Sequence, residues 1–206
     1  MLSQDDHPWY SAYTVKWATL DWEKEEAFAL RRRVFCEEQA LFEGDDRDHK
    51  DGIAQLLVAL GGYGGWHERI VGTVRIHAEN SGLWYGSRLA VDPFCRTHGH
   101  IGSTLIRLAV SSAHALGCRC FRALVQKQNE ALFHHLHWHS LTEKPIYGQL
   151  HILMEADLSC YPPCHTPLSG FVIRARQEHT DADLSPPLLG MPVPSLPGLR
   201  PLWQLQ

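Results

Sequence analysis

A chain of 206 residues, 44% hydrophobic and 20% charged, carries enough apolar surface for one packed core of ordinary domain size, which excludes a disordered chain. The formal charge of −4 and the lack of any Lys/Arg-rich block argue against a nucleic-acid partner, because affinity for a phosphate backbone rests on clustered positive charge. The opening MLSQDDHPWY has no seven-residue apolar core, and the longest apolar stretch, around Leu56–Leu60, is too short for a bilayer. No membrane partner and a cytoplasmic location are therefore expected.

In chain order, the alternation from Tyr13 to Trp17 predicts a strand, and Asp21 stands where a cap would open the next helix. Acidic residues crowd the first turn of that helix and Arg31, Arg32 and Arg33 lie further along, as the helix dipole favours. Residues 43–52, EGDDRDHKDG, hold no apolar side chain and read as a loop. Strands are predicted at Gln55–Leu60, Ile70–His77 and Leu83–Val91, in an antiparallel meander. A helix runs from Ile101 to Leu116 and stops at Gly117. Cys118–Val125 is a strand, Asn129–Trp138 a short helix and Gln149–Leu158 a last strand. This order predicts an α+β fold, a sheet partly covered by helices, over residues 1–160. Prolines dominate from Tyr161 onward, so 161–206 reads as a proline-rich extension in which Phe171–Arg176 makes one edge strand. The extension is suited to covering a sheet edge or completing a homodimer.

Six cysteines without C-x2-C spacing read as reduced thiols, with Cys118 and Cys120 packing on one side of their strand. His134, His135, His137 and His139 invite a metal reading, since His135 and His139 are four apart on a helix, but no third ligand is evident and no metal is assigned.

Residues 89–117, LAVDPFCRTHGHIGSTLIRLAVSSAHALG, carry the strongest local signal. An apolar strand ends in Asp-Pro, and a glycine-bearing turn runs into an amphipathic helix whose first N–H groups have no internal partners. Those groups and the positive end of the dipole make an anion site fit for a pyrophosphate. Gly99 and Gly102 let the main chain approach closely, Arg96 offers a charge-assisted bond, Ser103 and Thr104 offer hydroxyls, and His98 and His100 can donate to phosphate oxygens.

This segment resembles the GCN5-related N-acetyltransferase (GNAT) superfamily, whose acyl-CoA motif is a strand followed by Arg/Gln-x-x-Gly-x-Gly/Ala. Arg96 and Gly99 match, whereas Ile101 takes the sixth position and Gly102 follows it. LRRRVFCEEQ at 30–39 is similar to ElaA-like acetyltransferases through Arg31, Val34, Phe35, Glu38 and Gln39. It is also similar to acyl-homoserine-lactone synthases through Arg31, Phe35, Glu37 and the acidic loop Asp45–Asp51. VQKQNEALFHHLHW at 125–138 resembles the segment where such enzymes carry an Asn, an aromatic pair and a closing aromatic, here Asn129, Leu132-Phe133 and Trp138. The whole looks most like the N-acetyltransferases of bacterial nitrogen-starvation gene clusters.

The resemblance implies the GNAT fold, a mixed and mostly antiparallel sheet flanked by helices. It implies an N-acetyltransferase that uses acetyl-CoA, with a small-molecule amine attacking the thioester directly. The thioester carbonyl would meet a backbone N–H of the strand Arg88–Val91, with Leu89, Ala90 and Val91 against the cofactor. Phe133 stands where the family keeps an acidic Tyr, leaving that role empty, dispensable, or open to His134 or Tyr85. Glu38, then Glu37, are the candidate bases, through a carboxylate pKa raised by screening, against a reading as solvated helix-end residues. Arg31, Phe35, Arg75 and Tyr85 are expected on the acceptor side, Arg75 orienting an acidic group or pairing with Glu38. Two other readings stay open, an acyl-homoserine-lactone-synthase-like acyltransferase and a CoA-binding protein without catalysis.

Overall fold

A computed structural model describes residues 10–97, 100–146 and 148–174. The chain divides into two compact units, Met1–Arg176 and Gln177–Gln206, and the described residues belong to the first. Its elements are β1 (Ala12–Trp17), α1 (Asp21–Arg32), β2 (Gln55–Tyr63), β3 (Trp66–Asn80), β4 (Leu83–Val91), α2 (Ile101–Ala115), β5 (Cys120–Gln126), α3 (Glu130–His135), β6 (Trp138–Ile146), β7 (Gln149–Ala156) and β8 (Phe171–Arg174). The eight strands form one sheet in the order β6-β7-β5-β4-β3-β2-β1-β8. Every neighbouring pair is antiparallel except β4 and β5, joined by α2 as a crossover.

Alternation along the strands sends side chains to two apolar layers. Leu57, Ala59, Val74, Ile76, Phe121, Ala123, Val125, Ile152 and Met154 pack under α2 and α3. Leu56, Val58, Leu60, Ile70 and Ala90 pack under α1, against Ala27, Leu30, Val34 and Phe35. α1 passes directly into one π-helical turn, Arg33–Glu38.

Local differences from the sequence expectations have physical reasons. Asp21 is the first helical residue and does not cap α1; the buried Glu23 carboxylate accepts the N–H groups of Thr19 (2.8 Å) and Leu20 (3.1 Å) and pairs with Lys16. The short helix after β5 ends at His135, where His137 turns the chain with φ +62°, and Trp138 opens β6 instead of closing the helix. β6 escaped the sequence because it is an outer strand whose residues 139–145 are all exposed, so no alternation marks it. Cys118 is buried in the core ahead of β5, while Cys120 faces the other way, its thiol 3.1 Å from Glu155. Residues 161–174, expected in the extension, join the compact unit. The Tyr161 hydroxyl donates to the Leu136 carbonyl and accepts from Trp138 Nε1 (3.0 Å), and β8 pairs with β1.

α2 lies so close to β3 that a Cβ built on Gly72 would stand 2.9 Å from Ile101 Cγ2 and 3.0 Å from Leu105 Cδ1. Gly72→Val is therefore expected to lower unfolding stability by about 1–3 kcal/mol, read as a reduced urea midpoint with unchanged slope.

Candidate functional site

Two departures from regular pairing shape the centre of the sheet. Parallel pairing of β4 with β5 runs only from Leu83–Cys120 to Gly86–Ala123. Beyond Gly86, β4 has no ladder partner on that side, although β5 continues to pair with β7 through Gln126. The strands thus part, leaving main-chain groups of β4 facing a cleft. In the same stretch Thr73 faces Ala90 and Arg75 faces Ser87, so Arg88 and Leu89 together oppose Val74. This is a β-bulge, with Arg88 at φ +57°, and it re-aims the backbone around Leu89, Ala90 and Val91.

At the wide end of the cleft, β4 leads through a short turn, Pro93–Cys95, to α2. His100, at φ +52°, is the N-cap of α2 and makes no side-chain capping bond, so the first-turn N–H groups at 101–103 are offered outward. A Cβ on Gly102 would meet only Val91 Cγ2, at 3.8 Å, which leaves open space before the helix terminus. Ile101 contributes only main chain there, since its side chain lies in the core. Ser103 Oγ donates to the His100 carbonyl (2.8 Å), so its hydrogen is already used, and the Thr104 N–H closes onto the same carbonyl (3.0 Å). His98 and Gly99 lie outside the described residues.

Arg96 and Glu38 are brought together. The guanidinium meets the carboxylate through two bonds of 2.7 Å, and Arg96 Nε donates to the Val91 carbonyl. The hydrogen bond from Arg96 holds the Glu38 carboxyl below its usual range. Glu38 is thus a weakened base, the reverse of the raised carboxylate expected, and Arg96 is committed to a carboxylate instead of a phosphate. Glu37 is exposed, 3.8 Å from Arg32.

Arg31 and Arg75, expected against substrate, are buried and saturated by the acidic loop. Arg31 meets Asp46 (2.8 Å) and Asp51 (2.6 Å); Arg75 grips Asp48 with two bonds of 2.7 Å, reaches Asp51 (2.8 Å) and donates to Ser87 Oγ (2.8 Å). Arg88 closes the cluster through Asp46 (2.9 Å) and lies over the Phe42 ring. Arg75 therefore points inward but pairs with the loop and not with Glu38. Phe35 packs in the α1 core edge-on to Phe42.

His134 turns both ring nitrogens toward β6, with Nδ1 2.9 Å from the Trp138 carbonyl and Nε2 3.2 Å from Ser140 Oγ. Phe133 is buried edge-on to Trp138, and Asn129, exposed ahead of α3, makes no capping bond. Tyr85 alone of the expected acceptor residues lies half-buried at the foot of the cleft, stacked on His77. Sequence reasoning did not single out Ser87, Arg122 or Glu155, and it named Arg88 only for its place in the expected strand; the bulge and the Asp46 contact show what its side chain does. Among the described residues no group of three His, Cys, Asp or Glu side chains converges, and no helix is long and apolar enough to cross a membrane.

Burial alone would raise the carboxyl of Asp51, but bonds from Arg31, the Asp48 N–H and Arg75 drive it far below the usual range; Asp48, gripped by Arg75, is also lowered. The unfolded chain therefore takes up these protons first as pH falls. The stabilisation is full above about pH 5 and drains away as pH drops through about 4 and below. Urea midpoints measured from pH 7 to pH 3 are expected to fall in that window. Asp51→Asn should flatten the fall and cost about 3–5 kcal/mol at pH 7.

A search of curated proteins finds no match. Among solved structures, the CoA-dependent acyl-homoserine lactone synthase BjaI, determined with SAM and isopentyl-CoA, superposes with TM-score 0.59 at 16% identity, covering 69% of this chain and 82% of that one. Escherichia coli ElaA gives 0.58 at 17% identity, with 70% and 98% coverage. An acyl-CoA N-acyltransferase from Pseudomonas aeruginosa gives 0.55 at 18% identity, also with 70% and 98% coverage. At these identities the likeness establishes the fold. The profile of the Acetyltransferase (GNAT) family matches residues 11–137, a span that holds the splayed strands, the bulge and the helix terminus, and the chain therefore belongs to the GNAT family of acyltransferases.

Proposed function

We propose that the protein transfers the acetyl group of acetyl-CoA to the amine of a small molecule by direct attack. The observation that carries this reading is the alignment of three backbone features along one line: the N-terminus of α2, the free edge of β4 beyond Gly86, and the bulge at Arg88–Leu89. The diphosphate is taken by the N–H groups of 101–103, and the amides of the pantetheine arm pair with β4 as an added strand would. The thioester carbonyl then lies against a bulge amide, a fixed dipole aimed where negative charge develops during attack.

Attack needs a neutral amine, and the departing thiolate needs a proton. Glu38 is bound to Arg96, and His134 is turned to β6. We assign the proton-carrying role to Tyr85, one residue before the strands part.

Gly102→Glu sets a carboxylate in the open space before α2 without crowding the protein, and is expected to weaken acetyl-CoA binding at least tenfold, about 1.4 kcal/mol or more, by calorimetric titration at unchanged melting temperature. No acetyl-CoA binding by the unaltered protein would remove the reading.

Tyr85→Phe is expected to lower kcat about a hundredfold with the KM for acetyl-CoA nearly constant, in an assay of thiol release. Unchanged kcat would strip Tyr85 of its role and return the proton to solvent.

One observation favours a second reading, an acyl-homoserine-lactone-synthase-like transferase. The resemblance at Arg31 and the acidic loop is realised as a built network joining Arg31 and Arg75 to Asp48 and Asp51, and BjaI is among the similar structures. A series of acyl-CoA donors separates the two, since this second reading requires turnover to rise with chain length.

A further inference from the structure

On the face of the sheet shared with α1, five polar side chains stand in register across five strands. His77 of β3 faces Tyr85 of β4, Tyr85 faces Arg122 of β5, Arg122 faces Glu155 of β7, and Glu155 faces His139 of β6. The row crosses the sheet one residue before β4 and β5 part, immediately below the place where the thioester would lie. α1 packs over β2, β3 and β4, so the row starts buried at His77 and reaches solvent at Arg122 and Glu155, each with about a third of its side chain exposed (33% and 35%).

A solvated surface would not require this arrangement. Glu155 accepts Arg122 Nε at 2.8 Å, and Tyr85 stands directly across from Arg122 on the neighbouring strand. Glu155 is the one carboxylate that Arg122 meets among the described residues, and it binds through Nε, so neither terminal nitrogen is held by a carboxylate. His77, 93% buried (7% exposed), has a ring nitrogen, Nδ1, with no protein partner.

The row also has an apolar neighbour. Two residues further along each strand, Leu124 and Leu153 pair on the same face, and Leu124 is 43% exposed. Beyond them Gln126 Nε2 donates to Gln39 Oε1 (3.1 Å), which ties the segment after α1 to β5 and closes the far end. From Arg122 to Gln126 the strand rises about 13 Å, room for one small molecule.

Resting on the acetyl-transfer reading above, we infer that the acceptor is an α-amino acid with an apolar side chain, its carboxylate held by the terminal nitrogens of Arg122, its amine directed over β4 toward the thioester and its side chain lying on Leu124 and Leu153. Neighbouring strands are about 4.8 Å apart, a gap that an amine and a carboxylate on one carbon bridge while each meets its own strand. The amine nitrogen forms the new amide bond as the thioester C–S bond breaks. The amine proton is passed on and the CoA thiolate leaves to be protonated. Fork-shaped recognition of a carboxylate by a half-buried guanidinium is lost when the carboxylate is missing, and so discriminates between acceptors with and without one.

The test uses the full chain, acetyl-CoA, L-leucine and isoamylamine, which is leucine without its carboxylate. The unaltered protein is expected to show kcat/KM at least thirtyfold higher for leucine. Arg122→Gln should raise the KM for leucine tenfold or more with kcat within threefold, narrowing the leucine-to-isoamylamine ratio to within threefold, and Arg122→Lys should restore only part of it. Melting temperatures check that both variants fold. Equal use of the two acceptors by the unaltered protein, or an unchanged ratio in Arg122→Gln, overturns the inference. Leucine binding by calorimetry without any turnover would sustain the amino-acid site and remove the transferase reading; transfer to isoamylamine with no binding of leucine would do the reverse.

Discussion

Arg31, Arg75 and Arg88 must be neutralised out of water by Asp46, Asp48 and Asp51, and the shape of the cleft follows from how this is done. Stripping water from an ion costs several kcal/mol, recovered only when partners are close and well oriented. The loop 43–52 has no apolar residue to anchor it, so its carboxylates anchor it instead, drawn down onto α1, β3 and β4. The cluster reaches the bulge directly: Arg88 takes a left-handed backbone conformation that side chains seldom adopt, and its guanidinium is fixed by the Asp46 carboxylate and carbonyl. The same charges that seat a polar loop therefore hold the backbone dipoles of β4 in a fixed direction.

The Arg96–Glu38 pair repeats the principle at the wide end of the cleft, with less burial. It joins the π-helical turn after α1 to the turn before α2, and Gln39 continues the link to β5. Segments 38–39, 96 and 126 thus brace one another around the opening, which gives the charge of Glu38 a use without asking it to carry a proton. What remains for chemistry is mostly main chain, with Tyr85 and Arg122 as the side chains nearest the point where the strands part.

How much of this could be read beforehand divides along the line between local and long-range physics. β4 and α2 were legible, because a strand, a breaker and an amphipathic helix each leave their own periodicity, and Gly117 ends α2 where expected. β6 was not legible, since an edge strand carrying His, Ser, Thr, Glu and Lys has no buried face to betray it. Which side chains pair was not legible. Arg96 meets Glu38, and Arg31 and Arg75 meet the acidic loop, but which acid meets which base depends on contacts 15 to 58 positions apart that no spacing rule encodes. The polar row from His77 to His139 is invisible in one dimension for the same reason, as it exists only once four strand registers are set.

The place of β8 at the margin of the sheet bears on how the molecule assembles. β1 is made long before its outer neighbour, Phe171–Arg174, so one flank of β1 stays open until nearly the whole unit has been synthesised. Contacts between chain positions this distant slow the search for the native topology. An apolar strand waiting that long with a bare side is the natural point at which a nascent chain would engage a chaperone, or misassociate with another copy of itself, before its own late segment arrives to seal it.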